Sequence, residues 1–380
     1  MHFETLAIHA GPQPDPAFGA VMPPIYQVST FAFKGVKQPG PFDYSRSGNP
    51  TRKVLEETLA ALDHGTHGFA FATGMAAEAT VLSLLSAGDH IIVHDDLYGG
   101  TWRLLTSVTA RQGITVAFVN LRDLTALQQA LRPTTRMIWL ESVTNPLINL
   151  LDLAAVAETV RGKNILTVCD NTFLSPYYLR PLDHGMDIVI HSTTKYLNGH
   201  SDVVGGAAVV KDAALAERIF SLQNTLGTCA GPQDCYLVLR GIRTLPLRMD
   251  RHNANGLALA QWLEGHPKVE KVLHAGLARH PQHALGQRQF TGYGGTFSFR
   301  IKGGDAAVSR LLSSVKLFIL AESLGGVESL IEQPWTMTHV SMTEEARCKA
   351  GITEDLIRIS AGLEHIEDLI ADLAQAFKNV

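Results

Sequence analysis

The sequence predicts an α/β protein with a mostly parallel central sheet and a smaller C-terminal α/β domain. Three observations carry the prediction. Strand-length apolar runs alternate with helical patterns between residues 51 and 245, and such alternation builds βαβ units. One long helical pattern follows at Leu245–Leu263. Beyond it the alternation resumes in a shorter stretch. The chain has 380 residues, 46% of them hydrophobic and 18% charged. That is more than one simple core needs and is unlike a disordered composition.

Residues 1–50 read as an arm. Pro12, Pro14, Pro16, Pro23, Pro24, Pro39 and Pro41 punctuate it, and proline removes a backbone donor and breaks helices. An arm with so little core of its own is expected to lie on a neighbouring subunit. Asn49 then offers an N-cap and Pro50 a first helical residue, with Val54, Leu55, Leu59 and Leu62 at helical spacing. Strands are expected at 69–72, 90–94, 114–119, 137–140, 165–169, 188–191 and 204–210, and helices at 76–85, 102–110, 124–131 and 153–160. Residues 51–245 thus form the larger domain. In residues 246–380, strands are expected at 269–274, 296–301 and 356–360, with helices at 306–313 and 366–377. The helix at 245–263 is placed to bridge the two.

Composition narrows the function. The formal charge is −4, so no basic excess marks a nucleic-acid binder. No apolar run reaches the 18 or so residues that span a bilayer. The first residues show neither a basic segment nor an apolar one. The four cysteines are too few for a disulfide framework and form no C-x-x-C pair. Free thiols in a cytoplasmic protein are expected. No Walker A loop, G-x-S-x-G elbow or H-E-x-x-H helix occurs. The sixteen histidines are scattered, and no metal is expected.

Four segments carry chemistry. Ala72-Thr73-Gly74-Met75 closes a strand and opens a helix, where backbone N–H groups and the helix dipole attract an anion. Asp170 ends an apolar run, which puts a carboxylate at the carboxyl end of a buried strand, where parallel sheets bind ligands. Ser192, Thr194 and Lys195 follow another strand. They offer two hydroxyl donors and an amine whose basicity a cleft would lower. In Leu356–Ser360, period-two alternation puts Arg358 and Ser360 on one face, and arginine suits forked recognition of a carboxylate. A phosphate cradle, an aspartate, a lysine and an arginine together suit pyridoxal 5′-phosphate acting on an amino acid.

These segments resemble the Cys/Met-metabolism family of pyridoxal-phosphate enzymes, the cystathionine β-lyases, γ-lyases, γ-synthases and their relatives. The resemblance runs from about Leu6 to the C-terminus. Its motifs are Tyr44-Ser45-Arg46-Ser47-Gly48-Asn49-Pro50-Thr51-Arg52, Asp95-Asp96-Leu97-Tyr98-Gly99-Gly100-Thr101 and Asp170-Asn171-Thr172-Phe173. It continues in Ser192-x-Thr194-Lys195-Tyr196, Gly199-His200-Ser201-Asp202 and Ala321-Glu322-Ser323-Leu324-Gly325-Gly326.

The resemblance implies the aspartate-aminotransferase-like fold of type I pyridoxal-phosphate enzymes, assembled as a tetramer of active-site dimers. Lys195 is implied as the covalent anchor and proton carrier, Asp170 as the partner of the ring nitrogen, and Tyr98 as the ring-stacking residue that also activates the substrate amine. Gly74, Met75, Ser192 and Thr194 are implied in phosphate binding. Tyr44 and Arg46 would reach the phosphate of the neighbouring subunit. Arg358, Asn145 and Ser323 would hold the substrate α-carboxylate. Asp43 and Glu332 are the expected acids for the far ammonium of cystathionine.

A cystathionine lyase, cleaving carbon from sulfur by β- or γ-elimination, is the leading expectation. The rivals are a γ-synthase, which joins cysteine to an acylated homoserine, and a pyridoxal-phosphate-binding protein without catalysis. Three departures from the family pattern stand out: Thr73 in place of serine, Ser142-Val143 before Thr144, and Trp335 in place of alanine, expected to narrow the substrate channel.

Overall fold

Asn49 opens the first long helix, Pro50–Leu62, its side chain accepting from the N–H of Thr51 and Arg52. The computed structural model describes residues 1–380 apart from 12, 13 and 16, so Pro12 and Pro16 of the predicted arm lie outside the described residues. The expectation of an arm from residue 1 needs one correction. Phe3–His9 is a helix with Phe3 and Ala7 buried, and the Phe3 ring packs edge-on against Tyr177. Those two apolar side chains, four apart, anchor one face. Residues 17–48 contain only the isolated bridges Thr30–Tyr44 and Gly35–Gln38.

The larger sheet holds β1 (His67–Phe71), β2 (His90–His94), β3 (Thr115–Val119), β4 (Thr135–Glu141), β5 (Leu166–Asp170), β6 (Ile188–His191) and β7 (Gly206–Val210). Their spatial order is β1-β7-β6-β5-β4-β2-β3. β3, β2, β4, β5 and β6 run parallel to one another. β7 runs antiparallel to both β6 and β1, because no helix crosses back over the sheet between β6 and β7. The predicted strand at 204–210 starts later, at Gly206. There a Cβ would stand 2.2 Å from the Thr73 carbonyl oxygen, so only glycine passes.

The helix expected at 102–110 is broken up. An α-helix at Gly99–Leu104 passes into a π turn at Leu105–Thr109 and a 3₁₀ turn that ends at Gly113 in the left-handed region. Helices Ala213–Leu226 and Pro232–Ile242 are not among the predicted elements, although they bury apolar stripes at helical spacing, Leu215, Ala216 and Ile219 in the first and Cys235, Val238, Leu239 and Ile242 in the second. The first is delimited by local chemistry: Asp212 caps the N–H of Leu215, and Gly227 terminates it at φ 72°.

Helix Leu245–Glu264 spans about 30 Å at 1.5 Å per residue and enters two cores. Leu245 and Met249 join the core around the larger sheet. Leu259, Ala260 and Leu263 join a second core with Phe297, Phe299, Ile357 and Ile359. That core lies on the smaller sheet of β8 (Val269–Leu273), β9 (Thr296–Ile301), β10 (Ile319–Leu320), β11 (Leu330–Glu332) and β12 (Leu356–Ser360), ordered β10-β11-β12-β9-β8. Each fully buried isoleucine of β12 contributes about 1.5–3 kcal/mol. Alternation then turns Arg358 away from this core, opposite Ser298 of β9 and Glu332 of β11. Among the described residues no helix is long and apolar enough to cross a membrane.

Candidate active site

A cavity of about 290 Å³ opens at the carboxyl ends of the parallel strands, closed on one side by residues of the smaller sheet. The strand ends supply its wall. β4 ends at Glu141 and β5 at Asp170, while Ser192 follows β6 directly. Gly74, Met75, Ser192, Thr194, Tyr98, Asp170, Asn145, Ser323, Lys195 and Arg358, all singled out in the sequence, line it.

One corner is built for an anion. Thr73 caps helix Gly74–Leu82 by accepting from the N–H of Ala76, and the first N–H groups of a helix have no partner within it. A Cβ on Gly74 would stand 3.1 Å from the Ser192 Cβ and 3.2 Å from its hydroxyl oxygen. Helix start and Ser192 hydroxyl therefore converge on one spot. Thr194 is less free, since its hydroxyl accepts from the Gly205 N–H at 2.9 Å.

Across the cavity, Lys195 Nζ donates to Ser323 Oγ at 2.6 Å. Arg358 Nη2 donates to the Ser323 carbonyl at 2.9 Å, and Nη1 to Asn145 Oδ1 at 2.9 Å. Ser323 thus bridges amine and guanidinium. It does so at φ 96°, a left-handed conformation that costs a non-glycine residue about 1–3 kcal/mol and clusters at functional sites. Gly325, two residues on, has φ 76°, and a Cβ there would meet the Tyr196 nitrogen at 2.7 Å. The turn is held tight against the lysine segment.

Burial, and secondly the Arg358 charge, lower the Lys195 amine to about 8. Relative to an ordinary lysine, that raises the unprotonated fraction roughly 10²–10³-fold near neutral pH. Burial raises Asp170, opposed by its bonds to Thr172 and by the His191 charge. His191 lies behind it in a buried pair with Asp63 at 2.8 Å.

Several acids depart from the sequence reading. Glu332 is 1% exposed, is absent from the cavity wall, and bonds Arg358 Nη2 at 3.0 Å. Thr338 donates to the same Glu332 oxygen at 2.8 Å. The β11–β12 register sets Glu332 opposite Arg358, which holds one carboxylate oxygen, while Oε2 has no hydrogen-bond partner. Asp43 is exposed and accepts from the Tyr44 N–H. Neither Asp43, Tyr44 nor Arg46 lines this chain's own cavity, and Arg46 instead donates to Asn224 at 3.2 Å. Trp335 does not line the cavity either, its ring lying under the Arg347 guanidinium at 4.1 Å. The expectation that it narrows the channel is not met within the chain.

Three wall residues escape the sequence reading. Glu141 accepts from the N–H of Tyr98 at 2.6 Å and of Asn145 at 2.9 Å, which ties two of the implied site residues together. Glu78 sits on the helix behind the anion corner. Glu322 is an exposed acid on the wall. Glu322 stands beside Ser323 in a quoted motif, which was the available signal. Glu141 and Glu78 carry no local signal, because their partners come from distant segments.

The donor set fits pyridoxal phosphate. The anion corner suits a phosphate. Asp170 is a cavity-lining carboxylate with no lysine or arginine within salt-bridge distance among the described residues, as a ring N–H requires. The amine of Lys195 faces the same space.

The chain matches the family described as Cys/Met metabolism PLP-dependent enzyme over residues 4–378. It is 50% identical to a cystathionine beta-lyase of Coxiella burnetii over 377 residues, covering 99% of this chain and 97% of the relative. It is 49% identical to a cystathionine gamma-synthase of Mycobacterium bovis, covering 98% and 96%. The crystal structure of a cystathionine gamma-lyase from Lactobacillus plantarum, complexed with L-serine, superposes with a TM-score of 0.97 at 44% identity, covering 100% of this chain and 99% of that one.

Proposed function

Since this chain belongs to the Cys/Met-metabolism family of pyridoxal-phosphate-dependent enzymes, we propose that it cleaves the carbon–sulfur bond of cystathionine by β- or γ-elimination. The observation that carries the reading is one cavity wall holding an amine (Lys195), a carboxylate-binding fork (Arg358) and an exposed acid (Glu322). An amino acid with a second ammonium offers a carboxylate to the guanidinium and a cation to the acid.

Gly74, Met75, Ser192 and Thr194 would hold the cofactor phosphate, Asp170 would pair with its ring nitrogen, and Tyr98 would contribute to binding its ring. Bound pyridoxal phosphate supplies an electron sink for a carbanion at the substrate Cα. Arg358, oriented by Asn145 and the Ser323 carbonyl, fixes the α-carboxylate. Lys195 takes the Cα proton on Nζ, and its lowered basicity leaves the amine free to accept it. Tethered beside Cα and Cβ alike, the same amine serves a second proton removal when sulfur sits on Cγ. Burial raises the Tyr98 phenol above its ordinary value, so it stays protonated and orients the substrate amine by hydrogen bonding, while the free amine of the substrate is the form that reacts.

The second reading is γ-replacement, joining cysteine to an acylated homoserine. The 49% identity to the M. bovis synthase favours it, and it uses the same residues. Two incubations, one with cystathionine alone and one with cysteine and an acylated homoserine, separate them. Purified holoenzyme with cystathionine alone is expected to release pyruvate, homocysteine and ammonia, or 2-oxobutyrate, cysteine and ammonia. If no keto acid forms and cysteine condenses with an acylated homoserine, the lyase reading is wrong.

We further propose that the active unit is a homotetramer of paired subunits. Tyr44 is 44% exposed, Phe18 94% and Val36 91%, so the arm presents apolar surface and two implied phosphate ligands outward. Sedimentation equilibrium of the holoenzyme is expected at four times the 41.2 kDa chain mass. A monomer would refute the proposal, and a dimer its fourfold form.

A further inference from the structure

Glu78 is the acid of the cavity that the reaction above leaves idle. It follows Gly74 by four residues on helix Gly74–Leu82, one turn past the anion corner. Helical side chains lean toward the N-terminus, and Glu78 accordingly lines the cavity. It is 3% exposed, and its Oε2 has no hydrogen-bond partner. The buried Thr101 hydroxyl is close enough to oppose the effect of burial on Glu78, although neither it nor Glu78 Oε2 completes a well-formed hydrogen bond. Among the described residues no lysine, arginine or histidine pairs with Glu78.

An unpaired buried carboxylate is costly, so such a group keeps its proton. Burial, followed by the charge of Asp170, raises Glu78 to about 8. Near neutral pH it is a carboxylic acid whose O–H can donate into the cavity. The coupling is mutual. Whatever the Asp170 charge does to Glu78, ionised Glu78 does to Asp170 and to anything bound against it.

We propose that Glu78 is a proton-bearing positioning residue of the cofactor pocket, whose carboxylic acid sets the charge felt at the Asp170 end of the bound pyridoxal phosphate. The inference rests on pyridoxal phosphate occupying this cavity. The ionisable groups facing Glu78 there are Asp170 from β5, Glu141 from β4, Tyr98 before helix Gly99–Leu104, Lys195 after β6, Arg358 from β12 and Glu322. The other elements against its helix, β1, β7 and helix Ala213–Leu226, place no residue on the cavity wall. His191 of β6 is turned to Asp63.

The test is a pH titration of the holoenzyme's visible cofactor absorption, from mildly acidic to alkaline. It compares the wild type with Glu78→Gln, a neutral isostere, and Glu78→Asp, which keeps an acid. All three spectra should coincide on the acid side. The alkaline transition should shift its midpoint by about one unit, tenfold in proton affinity, or vanish in Glu78→Gln, and Glu78→Asp should retain it. Superimposable titrations of wild type and Glu78→Gln would overturn the inference. Isotope-edited infrared spectra of the wild type supply a readout that does not depend on the variants. A protonated-carboxyl stretch from Glu78 near neutral pH supports the inference, and an ionised-carboxylate stretch overturns it. If the wild type shows no cofactor band at all, the cofactor reading itself fails, and the infrared result still decides the state of Glu78.

Discussion

Replacing Lys195 with alanine is expected to lower kcat for carbon–sulfur cleavage by at least roughly 10³-fold, since the proposed reaction uses this one group as both anchor and proton carrier. The geometry explains why no neighbour can substitute. The Lys195 Nζ is the amine on the cavity wall, held at 2.6 Å by Ser323 Oγ, and the other cation there is Arg358. A guanidinium does not lose its proton in this range, so it cannot act as a base. The check is steady-state keto-acid release, with borohydride reduction and peptide mapping alongside. Wild type should carry a pyridoxyl group on Lys195, and Lys195→Ala should carry none. A variant that retained more than about a tenth of the wild-type rate would remove Lys195 from the mechanism. Because Lys195 is part of a site and not of a core, its loss should leave the fold intact, and the circular dichroism spectrum should be unchanged.

The second large effect is expected at Arg358. Arg358→Ala should lower kcat/KM by roughly 10²–10³-fold, mostly through KM, since it removes the guanidinium proposed to bind the substrate carboxylate. It should also destabilise the protein by about 3–5 kcal/mol, the cost of stranding a buried charge partner. That partner is Glu332, 1% exposed and bonded to Arg358 at 3.0 Å. Burial raises the Glu332 carboxyl and Arg358 is the largest influence that lowers it, so in the alanine variant only the Thr338 hydrogen bond and the Lys195 charge still oppose burial, and the acid shifts toward its protonated form. The double variant Arg358→Ala/Glu332→Gln separates the two roles. It should recover most of the stability, read by urea unfolding, and none of the substrate affinity. Arg358→Lys keeps the charge and loses the fork, so KM should stay high while Glu332 remains paired. If Arg358→Ala bound substrate normally, the assignment of the α-carboxylate to Arg358 would be wrong.

Much of this site is legible in the chain because its chemistry sits at strand ends. Asp170 and Ser192 border apolar runs whose strand character is local, and strand ends of a parallel sheet converge. Glu141 ends β4 in the same way, yet reads as any acid after an apolar run. Its meaning lies in accepting from Tyr98 and Asn145, and the Tyr98 contact crosses 43 residues. Glu78 reads as a surface position of a short helix. Its burial depends on the elements that cover that helix, which no periodicity reveals. The β7 strand reads as another parallel strand until its register shows otherwise.

The two acids at the arginine end mark the boundary between the kinds of information. By itself the sequence determined the alternation of strands and helices, the anion corner at Gly74, the lysine and aspartate at adjacent strand ends, and the alternation that turns Arg358 out of the smaller core. These follow from residue type and from spacing over a few positions. Only the tertiary structure decided that Glu332 is bound to Arg358 while Glu322 faces the cavity. Sequence places both acids within one stretch of the chain. The outcome rests on the pairing of β11 with β12 and on the strained turn at Ser323, which bring residues far apart in sequence into contact. Burial, pairing and protonation are properties of those contacts, so they exist only once the chain has folded.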